Sequence, residues 1–316
     1  VPDPIPSGFP ARIDPALLDA RFFQLDVFAE RAGGGNPLGV VIAADAWRAR
    51  DMQRFAAYTD LVETTFLLAP TQAEASYRVR IFTPHREIPF AGHPSIGSAH
   101  AALAAGVARP HAGILIQECG AGLLPIRVQD GATPRLFVQA PRARIRRSGM
   151  QHDPGLRALL RRVSLGTLEP ALVEGGRSWW VAELADEASV RSYPPDHPAI
   201  QSLALATDSL GLCLFARTGR TDYQLVVRAF PAGVGIAEDP ASGAANGLIA
   251  AYLHAREPQG ALARGYSVSQ GREIGHDARI AIEIEPDGTV WVGGRTHTVI
   301  EGRVRWPQDD SAGPTV

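Results

Sequence analysis

Two short stretches decide how this chain is read: His93-Pro94-Ser95-Ile96-Gly97-Ser98-Ala99 and Asp239-Pro240-Ala241-Ser242-Gly243-Ala244-Ala245. Laid over one another, they bring Pro94 onto Pro240 and Gly97 onto Gly243, each pair 146 positions apart (240 − 94 and 243 − 97). A strand-like run ending in phenylalanine precedes each, Arg80-Ile81-Phe82 and Arg228-Ala229-Phe230, and an apolar, alanine-rich run follows each. The pairing predicts a duplicated unit with a pseudo-twofold axis. It sets Gly97 and Gly243 at the starts of two central helices, with His93 and Asp239 in matching loops.

Outward from these stretches, the pattern alternates short strands with a few helices. Strand-like runs rich in β-branched and aromatic residues occupy 22–30, 37–44, 63–69, 77–83, 113–119, 123–129 and 135–140. Helical patterns occupy 47–58 and the run from Pro94. The second half repeats the order: an amphipathic 154–163, strands at 178–184, 210–216 and 223–230, a helix at 243–255, then strands at 266–271 and 278–294. Pro286-Asp287-Gly288 supplies a hairpin turn inside the last run. Mixed strands with one long central helix per half predict an α+β fold. The expected division is a proline-rich arm over 1–20, a first domain over 21–140, a second over 141–305, and a tail over 306–316.

Composition narrows the chemistry. Among 316 residues the formal charge is −2, 45% are hydrophobic, and all 31 basic residues are arginine. Without lysine, neither a pyridoxal-phosphate Schiff base nor a Walker phosphate loop is possible. Near-zero charge with dispersed arginines gives no footprint for nucleic acid, and the densest cluster, Arg142 to Arg147, reads as a solvated loop. Cys119 and Cys213 stand in no disulfide or zinc spacing. No apolar run reaches the roughly 18 residues of a membrane span, and the opening segment has no signal-peptide pattern. A cytoplasmic protein without metal or cofactor is expected.

The two loops suggest what the fold is for. Orphan N–H groups and the dipole at a helix start favour an anion, such as a substrate carboxylate. Two helix starts facing one cleft would hold that carboxylate and stabilise an adjacent carbanion or enolate. The proton carriers are then sought nearby. His93 and Asp239 qualify by their paired positions, although a turn histidine and an N-cap aspartate are common structural features. Glu63 opens the apolar run Glu63-Thr64-Thr65-Phe66, where partial burial would raise its pKa into a useful range. Asn36 follows Gly33-Gly34-Gly35, a tract that permits close ligand approach but is not a dinucleotide fingerprint. Glu87 and Glu238 flank the loops without a match across the repeat and are read as structural.

At these residues the sequence resembles the PhzF-like phenazine-biosynthesis isomerase family of the diaminopimelate-epimerase-like superfamily. The resemblance lies in Asp26-Val27-Phe28, Gly35-Asn36-Pro37, Glu63-Thr64-Thr65-Phe66, Phe82-Thr83-Pro84, Glu87-Ile88-Pro89-Phe90-Ala91-Gly92-His93-Pro94, Gly235-Ile236-Ala237-Glu238-Asp239-Pro240-Ala241-Ser242-Gly243 and Gln270-Gly271. It implies two pseudo-symmetric domains, each a curled, barrel-like mixed sheet around a central helix, with the active site between them. It also implies a homodimer and cofactor-free proton transfer on a small unsaturated or amino acid-derived carboxylate, of the kind used in antibiotic biosynthesis. Glu63 then carries the proton, while His93 and Asp239 bind and polarise substrate. Asn36, Gly92, Ser95, Gly97, Ser242, Gly243 and Ala244 are the expected substrate-binding positions.

Two departures bear on the reaction. Relatives that racemise amino acids with two thiols carry cysteine in the helix-start loops, and this chain has none there. The family's usual serine after the second loop's glycine is Ala244 here. Epimerisation, lyase-type elimination, and a non-catalytic binder of acidic metabolites remain the alternatives to isomerisation.

Overall fold

The computed structural model describes residues 17–308 apart from position 132. The first half supplies strands β1 (Leu17–Val27), β2 (Asn36–Ile42), β3 (Glu63–Leu68), β4 (Tyr77–Phe82), β5 (Glu87–Ile88), β6 (Ile114–Cys119), β7 (Gly122–Gln129) and β8 (Arg135–Gln139), with helices α1 (Ala49–Thr59) and α2 (Gly92–Ala104). The second supplies β9 (Arg144–Ser148), β10 (Ala171–Gly175), β11 (Arg177–Glu183), β12 (Leu212–Arg217), β13 (Leu225–Phe230), β14 (Gly265–Gln270), β15 (Ala278–Ile284), β16 (Val290–Gly294) and β17 (Thr296–Pro307). Its helices are α3 (Pro154–Leu160), α4 (Glu187–Arg191), α5 (His197–Thr207) and α6 (Gly243–Arg256).

The duplication is written in the strand pairing. In the order β1-β2-β3-β4-β6-β7-β8, successive pairs are antiparallel, parallel, antiparallel, parallel, antiparallel and antiparallel. The order β10-β11-β12-β13-β14-β15-β16 gives the same series. Strands β8 and β16 pair antiparallel where the two sheets join. The strand that follows each series crosses to the other sheet: β9 edges β10, and β17 edges β1. The fold is therefore α+β, two pseudo-symmetric curled sheets, each wrapped on its own helix.

Helices α2 and α6 are apolar nearly all round, the mark of a helix enclosed by other structure rather than lying on a surface. Helix α2 touches β1, β2, β3, β4, β6, β7, β8 and β17, while α6 packs against β9, β10, β11, β15 and β16. Their side chains join one core running through both halves, including Ile96, Ala99, Leu248 and Ile249. Separate clusters cover the outer sheet faces, with α1 over Phe66 and Phe82 in the first half and α3 and α5 over Trp180 and Phe230 in the second.

The structure revises the register of the repeat. Ile88 pairs with Ile81, and Asp239 bridges Ala229, each one residue before the phenylalanine that ends its strand. Helix α2 starts at Gly92 and α6 at Gly243, 151 positions apart (243 − 92). The shared pattern is thus Glu87-Ile88-Pro89-Phe90-Ala91-Gly92 over Glu238-Asp239-Pro240-Ala241-Ser242-Gly243, with His93 matched to Ala244 and Asp239 to Ile88. Gly97 is not at a helix start. It lies in the second turn of α2, where an added Cβ would come within 2.4 Å of the Leu38 side chain.

In this register Glu87 and Glu238 do match, and each closes a bidentate pair, with Arg80 and Arg228. The guanidinium of each arginine lies over the phenylalanine that ends its strand, Phe82 or Phe230. These clamps fasten the loop before each central helix to the strand it leaves.

Other expectations also change. Residues 144–148 of the arginine cluster form an edge strand rather than a solvated loop, with Arg144 and Arg146 meeting Glu174 and Arg147 meeting Asp153. Pairing begins at Leu17 and ends at Pro307, inside the segments expected as arm and tail; the rest of those segments, 1–16 and 309–316, lies outside the described residues. Strand β17 (Thr296–Pro307) lies mostly in the segment expected as the second domain, yet it pairs with β1 of the first sheet.

The two clamps differ in burial, with side chains 6% and 5% exposed at Arg228–Glu238 against 30% and 42% at Arg80–Glu87. Arg228→Met should therefore cost about 3–5 kcal/mol in urea unfolding by stranding a buried carboxylate, and Arg80→Met about 1 kcal/mol or less. Equal losses would show that burial does not separate the clamps.

Candidate active site

Glu63 is the first residue of β3, and every residue after it in that strand is buried. The apolar strand thus delivers a carboxyl to the end of the sheet at the mouth of α2. His93 is the second residue of α2 and 7% exposed. Its Nε2 lies 3.2 Å from Glu63 Oε2. The approach is off the line of a hydrogen bond, so neither atom has a hydrogen-bond partner among the described residues. Buried polar atoms are seldom left so, and functional sites are where the exceptions gather.

Burial sets the charge states. It pushes the Glu63 carboxyl up from 4.5 to about 8, helped by the negative charge of Asp239. It drives His93 down from 6.5 to about 3. At neutral pH the proton therefore sits on Glu63 and the imidazole is neutral, so the contact is an acid beside a neutral base rather than an ion pair. A carboxyl held that high is a proton donor near neutral pH and, once ionised, a stronger base than an ordinary carboxylate.

The second half contributes Asp239, in the loop before α6. Asn36 Nδ2 donates to its Oδ1 at 3.1 Å, and the Ala241 N–H donates to the same oxygen at 3.1 Å. Burial raises the Asp239 carboxyl, while the Ala241, Ser242 and Asn36 donors pull it down. Gln270, buried at the end of β14, donates Nε2 to the Asp239 carbonyl at 2.7 Å. Its Oε1 accepts from Ser242 N–H and Asn246 Nδ2. Ser242 caps α6, its hydroxyl accepting from the Ala245 N–H.

The two helix starts meet. A methyl group built on Gly92 would lie 3.7 Å from the Gly243 Cα, and the converse holds. Glycine at both positions leaves open the space between the first-turn N–H groups of Gly92 and His93 on α2 and of Gly243 and Ala244 on α6, which have no intrahelical acceptor; Pro94 has no N–H, and that of Ala245 is taken by Ser242. Glu63, His93, Asp239, Asn36, Gly92, Ser242 and Gly243 are thus gathered at one place, and Ala244 adds an exposed methyl-bearing residue in the first turn of α6. Ser95 and Gly97 are not. The Ser95 hydroxyl donates to the Ala91 carbonyl and accepts from Gln117, and Gly97 is covered by Leu38.

Each half supplies different groups to the site. Thr64 pairs with Phe82 and Leu212 with Phe230, so Gly211 stands where Glu63 stands in the first half. Glutamate, histidine and isoleucine on one side thus face glycine, alanine and aspartate on the other. The role of Gln270 as the junction of the second loop is not evident from the sequence, although a glutamine closing a buried strand is a signal of it.

With this geometry in view, comparison with known proteins places the chain. The family model described as phenazine biosynthesis-like protein matches residues 25–302. The chain belongs to the phenazine biosynthesis-like family. It is 33% identical over 292 residues to a trans-2,3-dihydro-3-hydroxyanthranilate isomerase of Pseudomonas aeruginosa, covering 90% of this chain and 98% of the relative. It is 29% identical over 296 residues to antisense-enhancing sequence 1 of Schizosaccharomyces pombe, covering 91% and 99%. A solved PhzF-family protein of Bacillus anthracis superposes with a TM-score of 0.75 at 23% identity, over 91% of this chain and 99% of that one. A hydroxyproline epimerase of Agrobacterium vitis shares the fold with a TM-score of 0.60 at 13% identity, over 92% and 93%. This PhzF-like chain is an enzyme of the isomerase class.

No group of three or more histidine, cysteine, aspartate or glutamate side chains among the described residues could hold a metal ion. No helix among them is long and apolar enough to cross a membrane. Cys119 is half-buried on β6, and Cys213 is fully buried on β12, where burial holds its thiol well above the ordinary range.

The raised Glu63 value has a consequence for stability. Between about pH 4.5 and about pH 8 the folded chain keeps a proton that the unfolded chain has released, so this group's contribution falls as pH rises through that window. Glu63→Gln removes the titration. In urea unfolding, its stability relative to the parent should grow by about 2 kcal/mol or more from pH 5 to pH 8. Parallel curves would place Glu63 in water.

Proposed function

We propose that this PhzF-like enzyme isomerises a small unsaturated or amino acid-derived carboxylate by moving one proton between carbons, with Glu63 as the carrier and no cofactor. The observation that carries this reading is the buried Glu63–His93 contact, unpartnered and neutral, beside two helix starts separated only by glycines. The helix-start amides hold the carboxylate and stabilise charge that spreads onto it as the carbon proton leaves. Ionised Glu63 takes that proton and returns it to a second carbon. His93, too weak a base to intercept the proton, and Asp239 orient and polarise the substrate.

The reaction of the Pseudomonas aeruginosa relative supports this class of chemistry, and trans-2,3-dihydro-3-hydroxyanthranilate is the first candidate substrate. Ala244 in place of the family's usual serine removes one hydroxyl donor and favours a substrate with one acceptor fewer at that end. Epimerisation by two thiols has no support, because neither loop before a central helix carries a cysteine: Cys119 lies on β6 and Cys213 is fully buried on β12. A homodimer in secondary metabolism, as the family resemblance implies, and a cytoplasmic location, as the composition suggests, complete the proposal.

Incubation with this and related dienoic and amino carboxylates in deuterated water, followed by NMR, tests the reading. A shifted double bond with deuterium at one carbon supports it. Deuterium at a single inverted stereocentre would indicate epimerisation, and tight binding without exchange a binder. For the substrate found, Glu63→Gln should lower turnover and exchange at least about 100-fold with little change in binding. Gly243→Ala, which fills the gap between the helix starts, should instead weaken carboxylate binding about tenfold or more while the fold survives. Near-normal exchange by Glu63→Gln would move the base elsewhere.

A further inference from the structure

We propose that Asn36 is a positioning residue: reaching from the first half, it fixes the Asp239 carboxylate of the second half in its working orientation. Asn36 opens β2 and is wholly buried. Its nitrogen is spent on two acceptors of the opposite half, Asp239 Oδ1 at 3.1 Å and the Ala241 carbonyl at 3.0 Å. These two bonds also define which end of the amide is nitrogen, since the oxygen could satisfy neither acceptor. The Asn36 N–H groups are thus occupied by protein and act on substrate through Asp239.

The residue is itself held from behind. Asp26, 3% exposed on β1, accepts from the Gly35 N–H at 2.9 Å. The Asp277 N–H donates to the Gly34 carbonyl at 2.8 Å, fastening the glycine tract to the second half. An added Cβ at Gly35 would fall 2.1 Å from the Val27 carbonyl oxygen, so the tract can follow this path only as glycine there. The chain of contacts Asp26–Gly35–Asn36–Asp239 therefore sets one carboxylate oxygen from a rigid strand end.

The titratable groups that act on Asp239 are Glu63 on β3, Glu238 beside it, which is paired with Arg228, and the Cys213 thiol on β12; His93 on α2 faces Glu63. Of the side chains that stabilise ionised Asp239, Asn36 is the one supplied by the opposite half. Its removal should be felt at Asp239 first.

The test has two arms, and only the kinetic one rests on the isomerase reading. In protein labelled with ¹³C at aspartate carboxyls, the Asp239 resonance is assigned by its loss in Asp239→Asn and titrated in the parent, Asn36→Leu and Asn36→Asp. The Asp239 midpoint should rise by about one pKa unit in Asn36→Leu, the loss of one hydrogen bond to a charged acceptor. It should rise further in the isosteric Asn36→Asp, which sets a second carboxylate against it and serves if Asn36→Leu does not fold. With a substrate in hand, turnover should fall tenfold or more in both. Activity of Asn36→Asp relative to the parent should recover as pH falls, because a protonated residue 36 again donates. An unmoved Asp239 midpoint in a folded variant overturns the proposal. A moved midpoint in a protein that exchanges no substrate proton overturns the isomerase reading and leaves the positioning role standing.

Discussion

Gly92 and Gly243 bring two helix starts together without a side chain between them, and the rest of the site is arranged around that meeting. Helices α2 and α6 are each enclosed by a sheet, so their first-turn amides can reach a ligand only at the ends that face each other. The arginine clamps fasten the preceding loops, and a buried glutamine fastens the fourth residue of each helix: Gln117 holds Ser95, and Gln270 holds Asn246. The polar apparatus behind the amides is structural, and its task is to keep two dipoles aimed at one point.

On the proposed reading, that arrangement lets a carboxylate substrate bind without an arginine in the site. The charged pairs lie behind or beside it, and the groups in it are neutral or shared: a protonated glutamate, an unprotonated histidine, and an aspartate holding donors from both halves. A cation there would draw the Glu63 proton away and hold the carboxyl ionised. Neutral amides stabilise a spreading negative charge without doing so. The low polarity that keeps Glu63 protonated also costs the fold stability as pH rises from about 4.5 to about 8.

The sequence showed the two-unit plan through its punctuation, because proline and glycine before an apolar helix are local signals. Most strands in the dense runs were legible for the same reason. The register was not, since alanine-rich helices can be laid over one another at several offsets; pairing of Ile88 with Ile81 and of Asp239 with Ala229 settles it. Glu63 and His93 could be named from their places beside an apolar strand and a helix start, but their contact spans two elements and needed the fold. Sequence alone does not place Ser95, because a helix-start hydroxyl looks the same whether it faces a cleft or, as here, a glutamine. Helices α4 and α5 are hard to see in the sequence although Asp186 and Asp196 cap them, because α4 has only five residues and the apolar residues of α5 follow no clear helical period.

The exchange of β9 and β17 between sheets bears on how the chain is made. Leu17 pairs with Pro307, a separation of 290 positions (307 − 17), and that pairing adds β17 as the edge strand of the first sheet. At ordinary rates of synthesis, β1 waits about 15–60 s for its neighbour to leave the ribosome. Throughout that interval its backbone edge is open to any other strand, including the same strand of a second nascent chain. The first half must therefore be held in an unfinished state until β17 arrives.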